Sequence, residues 1–292
     1  MGWHRIWMQK AKEYALNFVC PLEVFHLFAL TILSLLLPTS FLLLARLSGF
    51  HYYLQTLPWL QYSYPSLYLF SLVIRINPNI LFLLLSILTI ATLIQSFTSK
   101  ITLLTHSSTS VLNPPPLYAS WILLCTFQIC VGFGIEGSIA VGVYDSDSDY
   151  SSFGFERSFL SRLIFLLGLH ETTQVWSRMV VKPVVDDTVF GNSRKERWVE
   201  RAAVAASLGG LWWWRLREEV ETLVLMAEVK TEQLMDVEMD DFVGWWLYYL
   251  TVTIGMVRIV KGLMWMIMMS LCRRRAIGMN SMDEPSENDQ KV

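Results

Sequence analysis

The hydrophobic positions of this chain fall in long unbroken runs. Residues 24–45, 79–97 and 117–135 are each apolar and uncharged over close to the 20 or so residues that a helix needs to cross a bilayer. Residues 242–272 form a fourth run, provided that Arg258 and Lys261 are tolerated inside it. Two further runs, 158–177 and 199–214, are shorter or carry charges. The pattern therefore predicts an all-α fold, a polytopic transmembrane helical bundle of about six spans, four long and two short, with interfacial amphipathic helices.

The polar intervals divide the chain. Residues 1–23 place Trp3, Trp7, Tyr14 and Phe18 at helical spacing opposite Arg5, Lys10 and Lys12, which suits a helix lying in the headgroup region. No A-x-A-like cleavage site follows a short apolar core, so this segment is expected to stay. Residues 24–97 then hold the N-terminal spans and an aromatic outer loop. In that loop Pro58, Pro65 and Pro78 are expected to break any helix, which makes 58–74 an interfacial belt; a crossing there would invert every later side. A Ser/Thr/Pro linker at 98–116, a C-terminal membrane bundle at 117–272 and a polar tail at 273–292 complete the division. Within the bundle, 215–241 reads as an amphipathic helix with Leu216, Val220, Leu223, Val224, Ala227 and Leu234 on one face.

Composition sharpens the class. With 53% hydrophobic and 16% charged residues and 12 tryptophans, the chain is unlike a soluble domain. Its net charge of -2 offers no broad basic surface, so no nucleic-acid partner is expected. Six alternating spans with both termini cytoplasmic put 14 basic residues inside and 6 outside, as the positive-inside rule asks. The organelle is not encoded in this pattern. Cys20, Cys125, Cys130 and Cys272 are too scattered for a disulfide framework.

Several groups could carry chemistry. His170 and Glu171 begin the zinc-protease pattern H-E-x-x-H, but Gln174 occupies the second histidine's place and an amide is a poor zinc ligand. Arg162, His170, Thr173, Gln174 and Ser177 share one sector of that helix, a polar stripe that either lines a cavity or bonds neighbouring helices. Asp145, Asp147, Asp149 and Glu156 match positions 1, 3, 5 and 12 of a calcium loop, yet Tyr150 stands where the sharp turn needs glycine, which favours a solvated acidic loop. Glu136, Arg162, Glu171, Arg258 and Lys261 lie in or beside apolar runs and should be paired, Glu136 with Arg258 first. Pro183 is expected to end the striped helix, leaving Asp186 and Asp187 in a turn or cap. Small residues recur four apart at Gly134, Ser138 and Gly142 and at Ala202, Ala206 and Gly210, which allows close packing within the bundle or between copies.

The stretches GLHETTQVWSRMVVKPVVDDTVFG, LGGLWWWRLREEVETLVLMAEVKTEQL and FVGWWLYYLTVTIGMVRIVKGL resemble a family of plant multi-pass membrane proteins without an assigned activity. The likeness runs from about residue 117 to Cys272. It implies a plant source and an integral membrane location, and brings no catalytic residue, metal or cofactor with it. The expected function is that of a non-enzymatic scaffold or assembly protein, embedded in lipid and associating with itself or with another membrane protein. A small-solute or ion transporter built on the polar stripe is the alternative.

Overall fold

The computed structural model describes residues 21–56, 68–98, 115–140, 159–232 and 239–280. Residues 1–20, the calcium-like loop and most of the polar tail lie outside them, as do some helical side chains, Glu136 and Cys272 among them. All regular structure in the described residues is helical. Helix α1 is Pro21–Thr56, α2 is Tyr68–Thr98 and α3 is Leu117–Ala140. Helix α4, Phe159–Trp176, continues through a π-helical turn, Ser177–Val181, into α5, Lys182–Phe190. Helix α6, Trp198–Leu211, continues through a second π-helical turn, Trp212–Leu216, into the short α7, Arg217–Glu219. Helices α8, Thr222–Glu232, and α9, Met239–Asn280, follow.

Four of these helices, over Pro21–Gly49, Asn79–Thr98, Leu117–Ile135 and Asp241–Leu271, are long and apolar enough to cross a membrane. They are the four long runs of the sequence. The two short runs became α4–α5 and α6–α7, which are not among those four; α6 itself has 14 residues.

Contacts fix the directions of the helices. His26 on α1 meets Asp186 on α5, and Glu23 meets Arg197 just before α6, which defines a proximal end of the bundle. Arg46 on α1 meets Glu219 on α7, and Arg162 on α4 meets Glu221, which defines a distal end. Helices α1 and α6–α7 thus run outward from the proximal end and α4–α5 returns to it. Ser120 lies against Met179 and Gly134 against Leu43, so α3 runs outward as well. Phe165 stacks on Tyr248 and Glu171 faces Arg258, so α9 runs back parallel to α4. The described chain therefore starts and finishes at the same end.

The core is apolar and aromatic. Phe165 sits at its centre, 4.7 Å from Tyr248, 6.1 Å from Phe41 and 6.2 Å from Trp212 between ring centroids. Leu216, Val220, Leu223, Val224 and Ala227 are all buried, so the apolar face expected over 215–241 packs on its own bundle. That segment is not one helix, however: it turns at Val220 and Glu221 between α7 and α8, and Leu234 is outside the described residues. Gly168 and Gly255 let α4 and α9 touch backbone to backbone, since a Cβ on either would collide with the other helix's carbonyl. Several hydroxyls inside the bundle are satisfied locally: Thr172, Thr173 and Thr251 donate to carbonyls four residues back.

Two expected helix breaks do not occur. Helix α2 passes through Pro78 without interruption and takes in residues 68–74, while Pro58 and Pro65 lie outside the described residues. Pro183 does not end the striped helix either. Its missing N–H would have bonded the Met179 carbonyl; the π turn shifts the register, with the Lys182 N–H on Ser177 O, and the Ser120 hydroxyl donates to Met179 O at 3.4 Å. The helix ends instead at Gly191, whose φ of 69° only glycine adopts without cost and whose N–H bonds Asp187 O.

Candidate functional site

Charged side chains gather at three levels of the bundle. At the proximal end His26, wholly buried on α1, donates its Nε2–H to Asp186 Oδ1 at 2.6 Å. Lys182, one turn before Asp186, lies 3.2 Å from its Oδ2 and 3.0 Å from Glu200 Oε2 on α6. Arg197 joins Glu200 to Glu23 at 3.2 and 3.1 Å, and the Arg194 N–H donates to Asp186 Oδ2 at 3.0 Å. Burial pushes the Asp186 pKa up, but the bonds from His26 and the Arg194 amide and the Lys182 charge outweigh it and hold the carboxyl below its ordinary value. Buried charges of both signs therefore neutralise one another across α1, α5 and α6.

Beside this network lies a small cavity bordered by Gln174, Ser177, Arg178, Lys182, Glu196 and Glu200. Its volume of 10 Å3 suits about one water molecule. At the distal end Arg46 grips Glu219 with two bonds of 2.5 and 2.9 Å, and Arg162 holds Glu221 at 2.7 and 3.0 Å. His26 and Arg46, Arg162 and Lys182, and Glu200 and Glu219 are each about 20 residues apart, about 30 Å of helix. That is the thickness of a bilayer's hydrocarbon core.

Between the two ends stands one further pair. Arg258 Nε on α9 lies 3.6 Å from Glu171 Oε2 on α4, and Lys261 donates to the Ser96 carbonyl near the end of α2. Arg258 was expected to meet Glu136. The Glu136 side chain lies outside those described; among the described residues the carboxylate that Arg258 faces is Glu171.

The expected polar stripe is split among partners. Arg162 turns to Glu221, Thr173 bonds its own helix, Ser177 accepts from Ser34 Oγ at 2.9 Å, Gln174 borders the cavity and His170 is half-buried. Asp186, expected in a turn, is instead buried inside a helix, while its neighbour Asp187 is exposed. The sequence reading missed His26, Lys182 and Glu200. A signal was present for one of them: His170, Gln174, Arg178, Lys182 and Asp186 recur every four residues straight through Pro183. Asp145, Asp147, Asp149 and Glu156 lie outside the described residues.

Comparison with protein-family models, with curated proteins and with solved structures gives no match.

Proposed function

We propose that this chain is a non-enzymatic scaffold or assembly protein of a membrane, crossing the bilayer six times with both ends of the described bundle on the cytoplasmic side. The observation that carries this reading is the closure of the polar face of α4–α5. Gln174 and Ser177 face a space for about one water, and the hydroxyls of Thr172, Thr173 and Ser177 are engaged with their own or neighbouring helices. Such a face locks helices together. The charge levels about 30 Å apart support counting α4–α5 and α6–α7 as crossings, because in lipid their polar groups are tolerable only when turned inward. The six basic residues from Arg178 to Arg201 support a cytoplasmic proximal end.

The second reading, a small-solute or ion transporter, is favoured by the charged border of the proximal cavity and the Glu171–Arg258 pair beyond it. One experiment separates the two. Single cysteines along residues 158–178 are treated with a membrane-impermeant thiol reagent in intact vesicles. The scaffold reading expects protection at Thr173, Gln174 and Ser177; a labelled stripe from Arg162 to Ser177 would sink it in favour of conduction.

A further inference from the structure

Arg258 lies near the middle of the apolar stretch of α9, about 25 Å of helix from Asp241 and about 20 Å from Leu271. Its side chain is 43% exposed, facing out from the seam between α9 and α4. A guanidinium has five N–H donors in a planar fork made for a carboxylate. Among the described residues the carboxylate it faces is Glu171 at 3.6 Å, beyond hydrogen-bond length. Neither end of the membrane is within a side chain's reach from there, so snorkelling cannot satisfy those donors. Lys261, one turn further on, adds a second positive charge on the same side.

The helix that carries them is also the least covered. Over an 18-residue apolar part of α9, 17% of residues are buried, against 33–44% in the corresponding parts of the other three apolar helices, and none from Met256 to Leu271 is buried. Beyond Lys261, Met266, Met268 and Met269 are exposed, and flexible thioethers of this kind repack readily against a partner.

We propose that the α9–α4 seam around Arg258 is a docking site for a transmembrane helix of another protein that carries a carboxylate at mid-bilayer. A second Asp or Glu would complete the fork that Glu171 leaves open, and hydrogen bonds between helices hold best where lipid offers no competitor. Charge selects against a second copy, because a two-fold axis through this seam brings Arg258 and Lys261 against themselves. This site rests on the scaffold reading and supplies its partner class.

The test uses the full chain in lipid vesicles with a fluorescent probe, a single-span polyleucine helix bearing one central aspartate, and an all-leucine helix as reference. Association read by energy transfer should favour the aspartate helix by about tenfold, the effect of one interhelical hydrogen bond to a charged group. Arg258→Leu should remove that preference, Arg258→Lys should keep part of it, and moving the aspartate two turns off centre should weaken it. Equal association of the two probes leaves Arg258 to lipid or water and overturns the proposal, as does energy transfer between copies of the chain that depends on Arg258. Should Arg258→Leu fail to fold, the lysine variant and the displaced aspartate still decide. A labelled stripe in the cysteine map sinks the scaffold reading and this site together, whereas a protected stripe with no probe preference sinks the site alone.

Discussion

Helices α4–α5 and α9 lie side by side and obey opposite rules. Helix α4–α5 carries the polar stripe and the charges of Lys182 and Asp186, yet from Thr172 to Ser177 every residue is buried. Helix α9 is apolar over Asp241–Leu271, yet none of its residues from Met256 to Leu271 is buried. In water the assignment would be reversed, since burial of apolar area drives folding there. In lipid the hydrocarbon is as apolar as leucine, so polar groups gain most from the interior and apolar ones have no reason to hide. The two helices touch through Gly168 and Gly255, and at Glu171 and Arg258 a charge on the apolar helix faces one on the polar helix.

The contrast is broken most severely at Asp186. Replacing it with alanine strips His26 and Lys182 of a buried partner, a change expected to cost about 3–5 kcal/mol. Asp187→Ala, one residue along and exposed, should change little. Denaturant titration in mild detergent measures both, and equal losses would refute a role for the buried network. The same carboxylate can be titrated. Its folded pKa is below its ordinary 3.8, so its stabilisation is full above that value and is lost as pH falls through the lower folded value. Acid unfolding of the wild type should therefore steepen below about pH 4, and Asp186→Asn should flatten that part of the curve.

Glycines divide the same way. At Gly168 or Gly255 a Cβ would strike the facing backbone, so alanine there should cost about 1–3 kcal/mol or more. At Gly209 or Gly210, on the outward face of α6, a Cβ meets nothing, and alanine should stabilise the helix by up to about 1 kcal/mol. Comparable losses at all four positions would mean that α6 is covered in the membrane by something the bundle does not supply.

The sequence made the long spans legible because a bilayer demands about 20 apolar residues, a requirement local enough to read by eye. The buried face from Leu216 to Ala227 was legible for a similar reason, its helical period. His26 was not, since its partner Asp186 lies 160 residues away and nothing local separates a buried histidine from an interfacial one. That Glu171 would be the carboxylate facing Arg258 was not legible either, because pairing depends on depth, and depth follows from helix direction. The stripe was visible as polar residues on one sector, but whether that sector was wet or packed depended on α1 and α6.

Pro183 was the clearest misreading, and it leads to the smallest predicted effect. A proline inside a helix removes the donor for the carbonyl four residues back, here Met179. The π turn and the Ser120 hydroxyl answer that loss, but the bond is long at 3.4 Å, so Ser120→Ala should cost only about 0.5–1 kcal/mol. Cost alone would not identify the cause. In a Pro183→Ala background the Met179 carbonyl regains a main-chain donor, and Ser120→Ala should then cost nearly nothing. A double-mutant cycle reads this as coupling between residues on different helices. Additive costs would mean that the π turn alone accommodates the proline and that Ser120 only packs against α4, while coupling would show that a hydroxyl on α3 lets the buried polar helix run on to Asp186.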